Sequence, residues 1–137
     1  GARLLTGGKA NDTHMSPTLL DGVTREMRLW REESFGPVKA IIRVHSEEEA
    51  LAVANDSEYG LSAAVYSRDS ARAWNVAQRL QTGICHINGP TVHDEAQMPF
   101  GGCKASGYGR FGGRAGIAEF TELRWITIQT QPRELTF

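Results

Sequence analysis

The sequence lacks several features that would assign it to a functional class at once. Its two cysteines, Cys85 and Cys103, form no CxxC pair, and two cysteines alone do not make a disulfide framework. No apolar run approaches the roughly 20 residues of a membrane-spanning helix, no signal-peptide pattern opens the chain, and no long block carries charge of one sign. The formal net charge of −1 favours neither nucleic acid nor an anionic membrane as a partner. We therefore expect a small-molecule or protein partner and a reducing, cytoplasmic location.

A pattern of metal ligands is also missing. No two of the four histidines have the sequence spacing of a metal site; they are His14, His45, His86 and His93. We expect no metal site.

Length and composition predict one globular domain. The 137 residues, 40% of them hydrophobic, can bury one sizeable core but not two. The chain begins with Gly1 and not with Met, and residues 2–6 already have a strand pattern. We therefore expect a processed or truncated product.

The region from Val38 to Asp69 predicts alternating strands and helices. The run VKAIIRV at 38–44 is rich in β-branched residues, and Ser46 with Glu49 forms a capping box that opens a helix. LSAAVY at 61–66 has the composition of a buried strand.

A second helix and strand follow this pattern. Asp69 is expected to cap the helix, Gly83 to end it in a left-handed cap, and ICHI at 84–87 to form the next strand. The alternation predicts an α/β fold in which right-handed crossovers join a parallel sheet with helices on both faces.

The rest of the chain is dominated by a long loop. Residues 89–113 show no steady period and are rich in glycine and proline, and loops of this length in a compact domain are usually functional or disordered. Its aromatic and apolar content argues against disorder. Residues 115–120 predict a short helix, and LRWITIQ at 123–129 alternates as a terminal strand.

Two local motifs have functional interpretations that their surroundings do not favour. GYGRFG at 107–112 matches the dinucleotide fingerprint, but no strand-like run delivers its first glycine, so we favour a tightly turned loop. Cys85, His86 and Asp94 could act as nucleophile, base and orienting group in a hydrolase. Neighbours on a strand point to opposite faces, which favours a packed thiol at Cys85.

Three longer segments carry a resemblance to a known family. REESFGPV at 31–38, NDSEYGLSAAVYSRD at 55–69 and GICHINGPTVHDEAQMPFGGCKASGYGR at 83–110 resemble the C-terminal part of the aldehyde dehydrogenase superfamily. The resemblance extends over essentially the whole chain. The GPTVHDEAQ form of the loop is most similar to the vanillin, benzaldehyde and salicylaldehyde dehydrogenases.

The resemblance implies an NAD(P)-dependent oxidation of aldehydes to carboxylic acids. At the matching positions, the resemblance implies that Glu33 accepts hydrogen bonds from the nicotinamide ribose and that Phe35 packs near the nicotinamide. Glu32 and Arg31 are expected to be surface or packing charges. Without the family, the alternative for Glu33 is a solvated charged turn. The residues that choose between NAD and NADP are not in this chain.

The same resemblance places four residues at the substrate: Thr91, Val92, His93 and Phe100. Two alternatives stay open, since Phe100 could be ordinary core and His93 could hydrogen-bond its own loop.

The family's nucleophilic cysteine, general-base glutamate, oxyanion donor and dinucleotide-binding domain all precede the EESFGPV motif. We therefore assign no catalytic residue and expect the chain to be inactive alone. Residues 1–122 would be the C-terminal portion of the catalytic domain, and 123–137 an oligomerisation strand and tail that joins identical subunits. The alternatives are a stand-alone binding or assembly module and a cysteine hydrolase built on Cys85.

Overall fold

The computed structural model describes residues 1–132 and 134, and short strands and helices occupy much of the first 119. The strands are β1 (Arg3–Thr6), β2 (Ala10–Asn11), β3 (His14–Met15), β4 (Thr18–Asp21), β5 (Val38–Ile41), β6 (Tyr59–Gly60), β7 (Ser62–Val65), β8 (Ile84–Ile87) and β9 (Cys103–Lys104). The helices are α1 (Arg28–Arg31), α2 (Glu47–Asn55), α3 (Ser70–Ala77) and α4 (Gly113–Glu119).

Within the described residues the strands form four sheets, of which the β1-β4-β5 sheet is mixed, so the α/β fold is confirmed but a single parallel sheet is not. β4 pairs in parallel with β5, and β7 pairs in parallel with β8, but these pairs belong to separate sheets. β1 is antiparallel to β4, because the connection between them is short and contains the β2–β3 ladder, whereas parallel strands need a long crossover. α3 packs on β7 and β8. Cover by helices on both faces of one sheet stays a prediction.

The predicted helix starts are confirmed. The Ser46 hydroxyl accepts a hydrogen bond from the Glu49 amide at 3.1 Å, and the Asp69 carboxylate accepts one from the Arg72 amide at 3.0 Å. Each bond satisfies an amide that has no partner inside its helix. The Glu49 carboxylate accepts from the amide of His45, one residue earlier than in a regular capping box.

The predicted role of Gly83 is wrong. α3 ends at Ala77, Gln78 caps it in the right-handed conformation, and the φ of Gly83 lies outside the left-handed region. A Cβ at Gly83 would collide with the carbonyl oxygen of Gly101. Glycine is therefore needed here because the long loop passes directly over the start of β8.

The predicted terminal strand is not observed. Residues 121–130 have no regular secondary structure, and the side chains of Leu123, Trp125, Ile126 and Ile128 are largely exposed. A strand needs backbone partners, and the described part of this single chain offers none to the segment. Residues 133 and 135–137 of the predicted tail lie outside the described residues.

The core is smaller than composition led us to expect. The buried hydrophobic residues of the described chain are Val23, Leu51 and Ala73, and the accessible surface is 11405 Å². A compact monomer of 15.0 kDa exposes about 7,000 Å². Much of the apolar surface of the sheets is therefore uncovered in the chain. No helix within residues 1–132 is long and apolar enough to span a membrane.

Candidate functional site

The turn between α1 and β5 gives two adjacent carboxylates different surroundings. Glu32 folds back onto α1, where Arg28 donates to its two oxygens at 2.9 and 2.7 Å. These hydrogen bonds hold the pKa of Glu32 below its ordinary value and raise that of Arg28. Within the described residues, no hydrogen bond or ion pair reaches the carboxylate of Glu33. Of the two, Glu33 is the one free to bind another molecule.

Phe35 has an unusual backbone and an unusual exposure. Its φ is +49°, in the left-handed region that costs an L-residue about 1–2 kcal/mol, and its ring is 94% exposed. The turn is tight after it, since the amide of Val38 donates to the carbonyl of Gly36 at 2.7 Å. Residues held in strained backbone conformations cluster at active sites and ligand clamps, so this outlier supports a hypothesis of function.

Glu33 lies on a cavity of about 650 Å³, which we call the Glu33 cavity. Its wall is formed by α1, the end of α2, the start of β7 and the long loop. Its lining residues are Trp30, Arg31, Glu32, Glu33, Lys39, Ala54, Ser57, Tyr59, Gly60, Leu61, Ser62, Ala63, Leu80, Thr82, Ala105 and Ser106. Phe35 is not among them, so the structure does not bring the two predicted cofactor residues onto one cavity.

The long loop is fastened to the wall of the Glu33 cavity by its CKAS segment. The Lys104 ammonium donates to the carbonyls of Asn55, the last residue of α2, and of Ser57 just after it, both at 2.9 Å. The Ser106 hydroxyl accepts from the amide of Gly60 at 2.9 Å. Sequence reasoning missed both contacts. A lysine in a glycine-rich loop is a weak sequence signal for such a contact, because the helix end that it binds lies nearly 50 residues away.

A second cavity, of about 400 Å³, lies between β8 and the long loop, and we call it the loop cavity. It is lined by Gly83, Ile84, Cys85, His86, His93, Asp94, Glu95, Met98, Pro99 and Phe100. Its size falls within the range of about 300–1,000 Å³ for small-molecule sites, and it combines apolar walls with a few polar groups.

Two of the four predicted substrate residues line the loop cavity. His93 and Phe100 do, whereas Thr91 and Val92 do not. The carbonyl of Thr91 accepts a hydrogen bond from the Ser62 hydroxyl at 2.9 Å, and the side chain of Val92 is 91% exposed. The assignment of these four residues to the substrate stays a prediction.

Two histidine rings meet in the loop cavity. The rings of His86 and His93 lie 5.4 Å apart and nearly perpendicular, at 82°. The Nε2 atom of His86 is buried and has no hydrogen-bond partner among the described residues. The Nε2 atom of His93 lies 3.4 Å from a carboxylate oxygen of Glu95, so His93 does contact its own loop while also lining the cavity.

Phe100 is anchored by its backbone and only partly buried. Its amide and carbonyl exchange hydrogen bonds with those of Phe111 at 2.8 and 2.7 Å, and its side chain is 37% exposed. This backbone pairing fixes the position of the Phe100 ring on the wall of the loop cavity.

The cysteines show no sign of nucleophilic activation. Burial raises the pKa of the Cys85 thiol, the opposite of what a nucleophile needs. The Cys103 thiol donates to the carbonyl of Gln81 at 3.1 Å and so holds the loop in place. No cluster of His, Cys, Asp or Glu in the described part of the chain is arranged to hold a metal ion. These observations weigh against the cysteine hydrolase.

The GYGRFG segment packs against its own loop. A Cβ at Gly112 would collide with the carbonyl of Met98, and one at Gly113 with that of Gln97. These glycines allow the start of α4 to approach the loop backbone closely. The contacts support the interpretation of the motif as a tightly turned loop.

Comparisons with known proteins agree with the resemblance. Residues 1–126 match the family described as the aldehyde dehydrogenase family. The vanillin dehydrogenase of Pseudomonas fluorescens is 64% identical over 133 residues, covering 97% of this chain and 28% of that protein. The benzaldehyde dehydrogenase of Pseudomonas putida, whose name specifies NAD(+), is 44% identical over 138 residues, covering 100% of this chain and 28% of that protein.

A solved structure shows the same likeness. The salicylaldehyde dehydrogenase from Pseudomonas putida G7, crystallised with salicylaldehyde, superimposes with a TM-score of 0.92 at 50% identity, covering 100% of this chain and 28% of that one. The chain thus spans a little over a quarter of the length of these relatives.

Proposed function

The chain belongs to the aldehyde dehydrogenase family, and we propose that it is the C-terminal part of an NAD(P)-dependent enzyme that oxidises aromatic aldehydes to carboxylic acids. The observation that carries this proposal is the set of relatives matched over nearly the whole chain, which are named vanillin, benzaldehyde and salicylaldehyde dehydrogenases. The same relatives confirm the resemblance of the GPTVHDEAQ loop to the vanillin, benzaldehyde and salicylaldehyde dehydrogenases.

The chain's own part in this reaction is binding. In the family, a cysteine adds to the aldehyde, the adduct becomes a thioester by losing a hydride, and a glutamate assists hydrolysis of that thioester. Neither the cysteine nor the glutamate matches a residue of this chain. When bound, the nicotinamide supplies the hydride acceptor. The described residues would orient the cofactor and enclose the substrate, and the chain alone would be inactive.

Glu33 fits the proposed contact with the nicotinamide ribose. Its carboxylate has no partner among the described residues and lies on a cavity of sufficient size. Two carboxylate oxygens can accept both hydrogens of a vicinal diol, and such charge-assisted hydrogen bonds are the stronger kind. The engagement of Glu32 with Arg28 leaves only Glu33 free for this contact.

Phe35 fits a contact with the nicotinamide ring, because its phenyl group is exposed on the same turn. A bound ring would cover apolar surface that the chain leaves in water. The choice between NAD and NADP stays open, since the residues that read the adenosine ribose are not in the chain.

The loop cavity fits an aromatic aldehyde. Met98, Pro99 and Phe100 give apolar walls, and His93 gives a polar group among them. We propose His93 and Phe100 as direct substrate contacts, with Thr91 and Val92 at the entrance.

Residues 123–137 are proposed to join identical subunits, while residues 1–122 complete the catalytic domain. Four large apolar side chains of this segment are between 71% and 105% exposed, and an exposed segment of alternating pattern without a backbone partner in the described chain invites pairing with another chain. A cytoplasmic location stays a prediction from the cysteine pattern.

The experiment that tests the cofactor site compares two neighbouring carboxylates in the intact parent protein. Glu33→Gln should weaken the binding free energy of NAD(P)+ and raise the activation free energy of its reduction, each by about 1–3 kcal/mol, because the amide has only one acceptor oxygen. Glu32→Gln is the matched control and should leave both unchanged, since its carboxylate binds Arg28. Unchanged kinetics in Glu33→Gln, or equal losses in both variants, would reject the assignment.

A further inference from the structure

The turn that carries Glu33 follows α1, a helix too short to hold its own position. α1 has only four residues, Met27 at its start makes no side-chain capping bond, and none of its side chains is buried in the described chain. A helix of a single turn is not stable alone in water, so tertiary contacts must place it. Glu33 follows two residues after the end of α1, and its position therefore depends on those contacts.

One side chain of α1 binds a distant element. The indole Nε1 of Trp30 donates to a carboxylate oxygen of Asp56 at 3.1 Å, and among the described residues no other side-chain hydrogen bond joins α1 to a distant part of the chain. The Nε atom of Arg25 lies 3.2 Å from the same oxygen, and the Arg25 guanidinium lies over the Trp30 ring, 5.8 Å from its centroid. Arg25 is more than half exposed, so its ion pair contributes little, whereas the directional indole bond orients α1.

Asp56 is itself held firmly at the end of α2. Its amide donates to the carbonyls of Ala52 and Val53, at 3.1 and 3.2 Å, and so closes the last turn of the helix. The Lys104 ammonium binds the backbone carbonyls on either side of Asp56. Asp56 therefore gives α1 a fixed anchor.

The other end of the Glu33 turn is fixed by a sheet. The amide of Thr18 in β4 donates to the carbonyl of Pro37 at 2.8 Å, and Val38 then enters β5. The turn is thus attached at both ends. Glu33 lies between them on the Glu33 cavity, and Trp30 lines the same cavity.

From these contacts we propose that Trp30 and Asp56 are positioning residues for the nicotinamide cofactor, whose hydrogen bond fixes α1 and thereby holds the Glu33 carboxylate at the ribose hydroxyls. The inference rests on the proposed function, because the pair acts through the same carboxylate. Neither residue takes part in the chemistry in this arrangement. Their contribution is preorganisation, since a carboxylate that is already in place does not have to be ordered when the cofactor binds.

The test measures the Kd of the intact parent for NAD+ or NADP+, whichever it binds more tightly, in Asp56→Ala, in Glu33→Ala and in the double variant. Asp56→Ala should raise the Kd by about two- to twelvefold, the range that one hydrogen bond gives. In the Glu33→Ala background it should raise the Kd no further, because the carboxylate that it positions is absent. An equal effect in both backgrounds would mean that Asp56 acts through the fold in general, and would overturn the proposal.

Conservative variants separate the hydrogen bond from the charge. Asp56→Asn keeps an oxygen that can accept from the indole and should keep the Kd of the parent. Trp30→Phe keeps a ring but no donor and should raise the Kd as Asp56→Ala does, which also tests the pair if Asp56→Ala does not fold. A raised Kd in Asp56→Asn, or a parental Kd in Trp30→Phe, would contradict the role of this bond.

Asp69→Ala is the matched control, because it makes the same chemical change at a residue outside the Glu33 cavity. It removes the side-chain cap of α3 and should lower the Tm while leaving the Kd unchanged. A Kd raised as much as in Asp56→Ala would mean that cofactor binding follows stability alone, and would overturn the positioning role.

The outcomes also separate this inference from the proposed function. If Glu33→Ala raises the Kd and Asp56→Ala does not, the ribose contact stands and the positioning role alone is wrong. If Glu33→Ala binds the cofactor as the parent does, the ribose contact is wrong and the positioning role with it. A parent that binds neither NAD+ nor NADP+ contradicts the proposed function itself.

Discussion

Replacing Phe35 with glycine in the intact parent should separate cofactor binding from folding. In the fold, glycine relieves about 1–2 kcal/mol of left-handed strain, while its greater freedom in the unfolded chain costs about 0.5–1 kcal/mol. Because the ring is 94% exposed, few contacts are lost, and the net change in stability should be close to zero or slightly favourable. For binding, fully burying a phenyl group contributes about 1.5–3 kcal/mol. A nicotinamide that covers one face of the ring should contribute about half of that, or roughly three- to twelvefold in Kd.

The assay for this prediction is the Kd of the parent for NAD+, measured together with its Tm. Tyr108→Ala is the matched control, since Tyr108 is also exposed, at 98%, and lies on neither cavity. We expect a higher Kd in Phe35→Gly alone, with similar Tm values for the parent, Phe35→Gly and Tyr108→Ala. An unchanged Kd would refute the contact, and a Tm lowered by several degrees would mean that the ring is packed inside the parent's fold.

Three further changes test other parts of the account in the intact parent. Phe100→Ala should lower kcat/KM for benzaldehyde more than for a short aliphatic aldehyde, by about two- to twelvefold, because an aromatic pair adds roughly 0.5–1.5 kcal/mol beyond burial; equal losses would make Phe100 a residue of the fold only. Deleting residues 122–137 should lower the molar mass in light scattering, and an undiminished oligomer would argue against a subunit contact there. Two arginines, Arg43 and Arg3, hydrogen-bond to Asp21 and lower its pKa, so its stabilising effect should be present above the ordinary carboxyl pKa of about 3.9 and be lost as pH falls from there through the lowered pKa. A difference in urea midpoint between the parent and Asp21→Asn that stays constant down to pH 3 would contradict this.

Sequence reasoning succeeded where the cause of a structure lies within a few residues. Ser46 and Asp69 each cap a helix through an amide three residues ahead, so the signal and the contact are visible together. The pairing of Glu32 with Arg28 is also local, because Arg28 is one helical turn before Glu32.

It failed where distant segments meet. Only glycine fits at position 83, because the backbone of Gly101 passes directly over it. The Lys104 ammonium binds the carbonyls of Asn55 and Ser57. Neither contact has a local sequence pattern. The alternating residues at 123–129 predict a strand, but a hydrophobic pattern does not indicate whether the partner strand belongs to the same chain.

The most direct measurement compares the intact parent and the 137-residue chain at equal molar concentration. Each protein is given vanillin and NAD(P)+, and reduction of the cofactor is followed by absorbance. We expect turnover by the parent and no rate above a protein-free control for the chain, because we propose that the chain only binds and orients and that the nucleophile lies in the rest of the parent. Turnover by the chain, or none by the parent with vanillin, benzaldehyde or salicylaldehyde, would contradict the account.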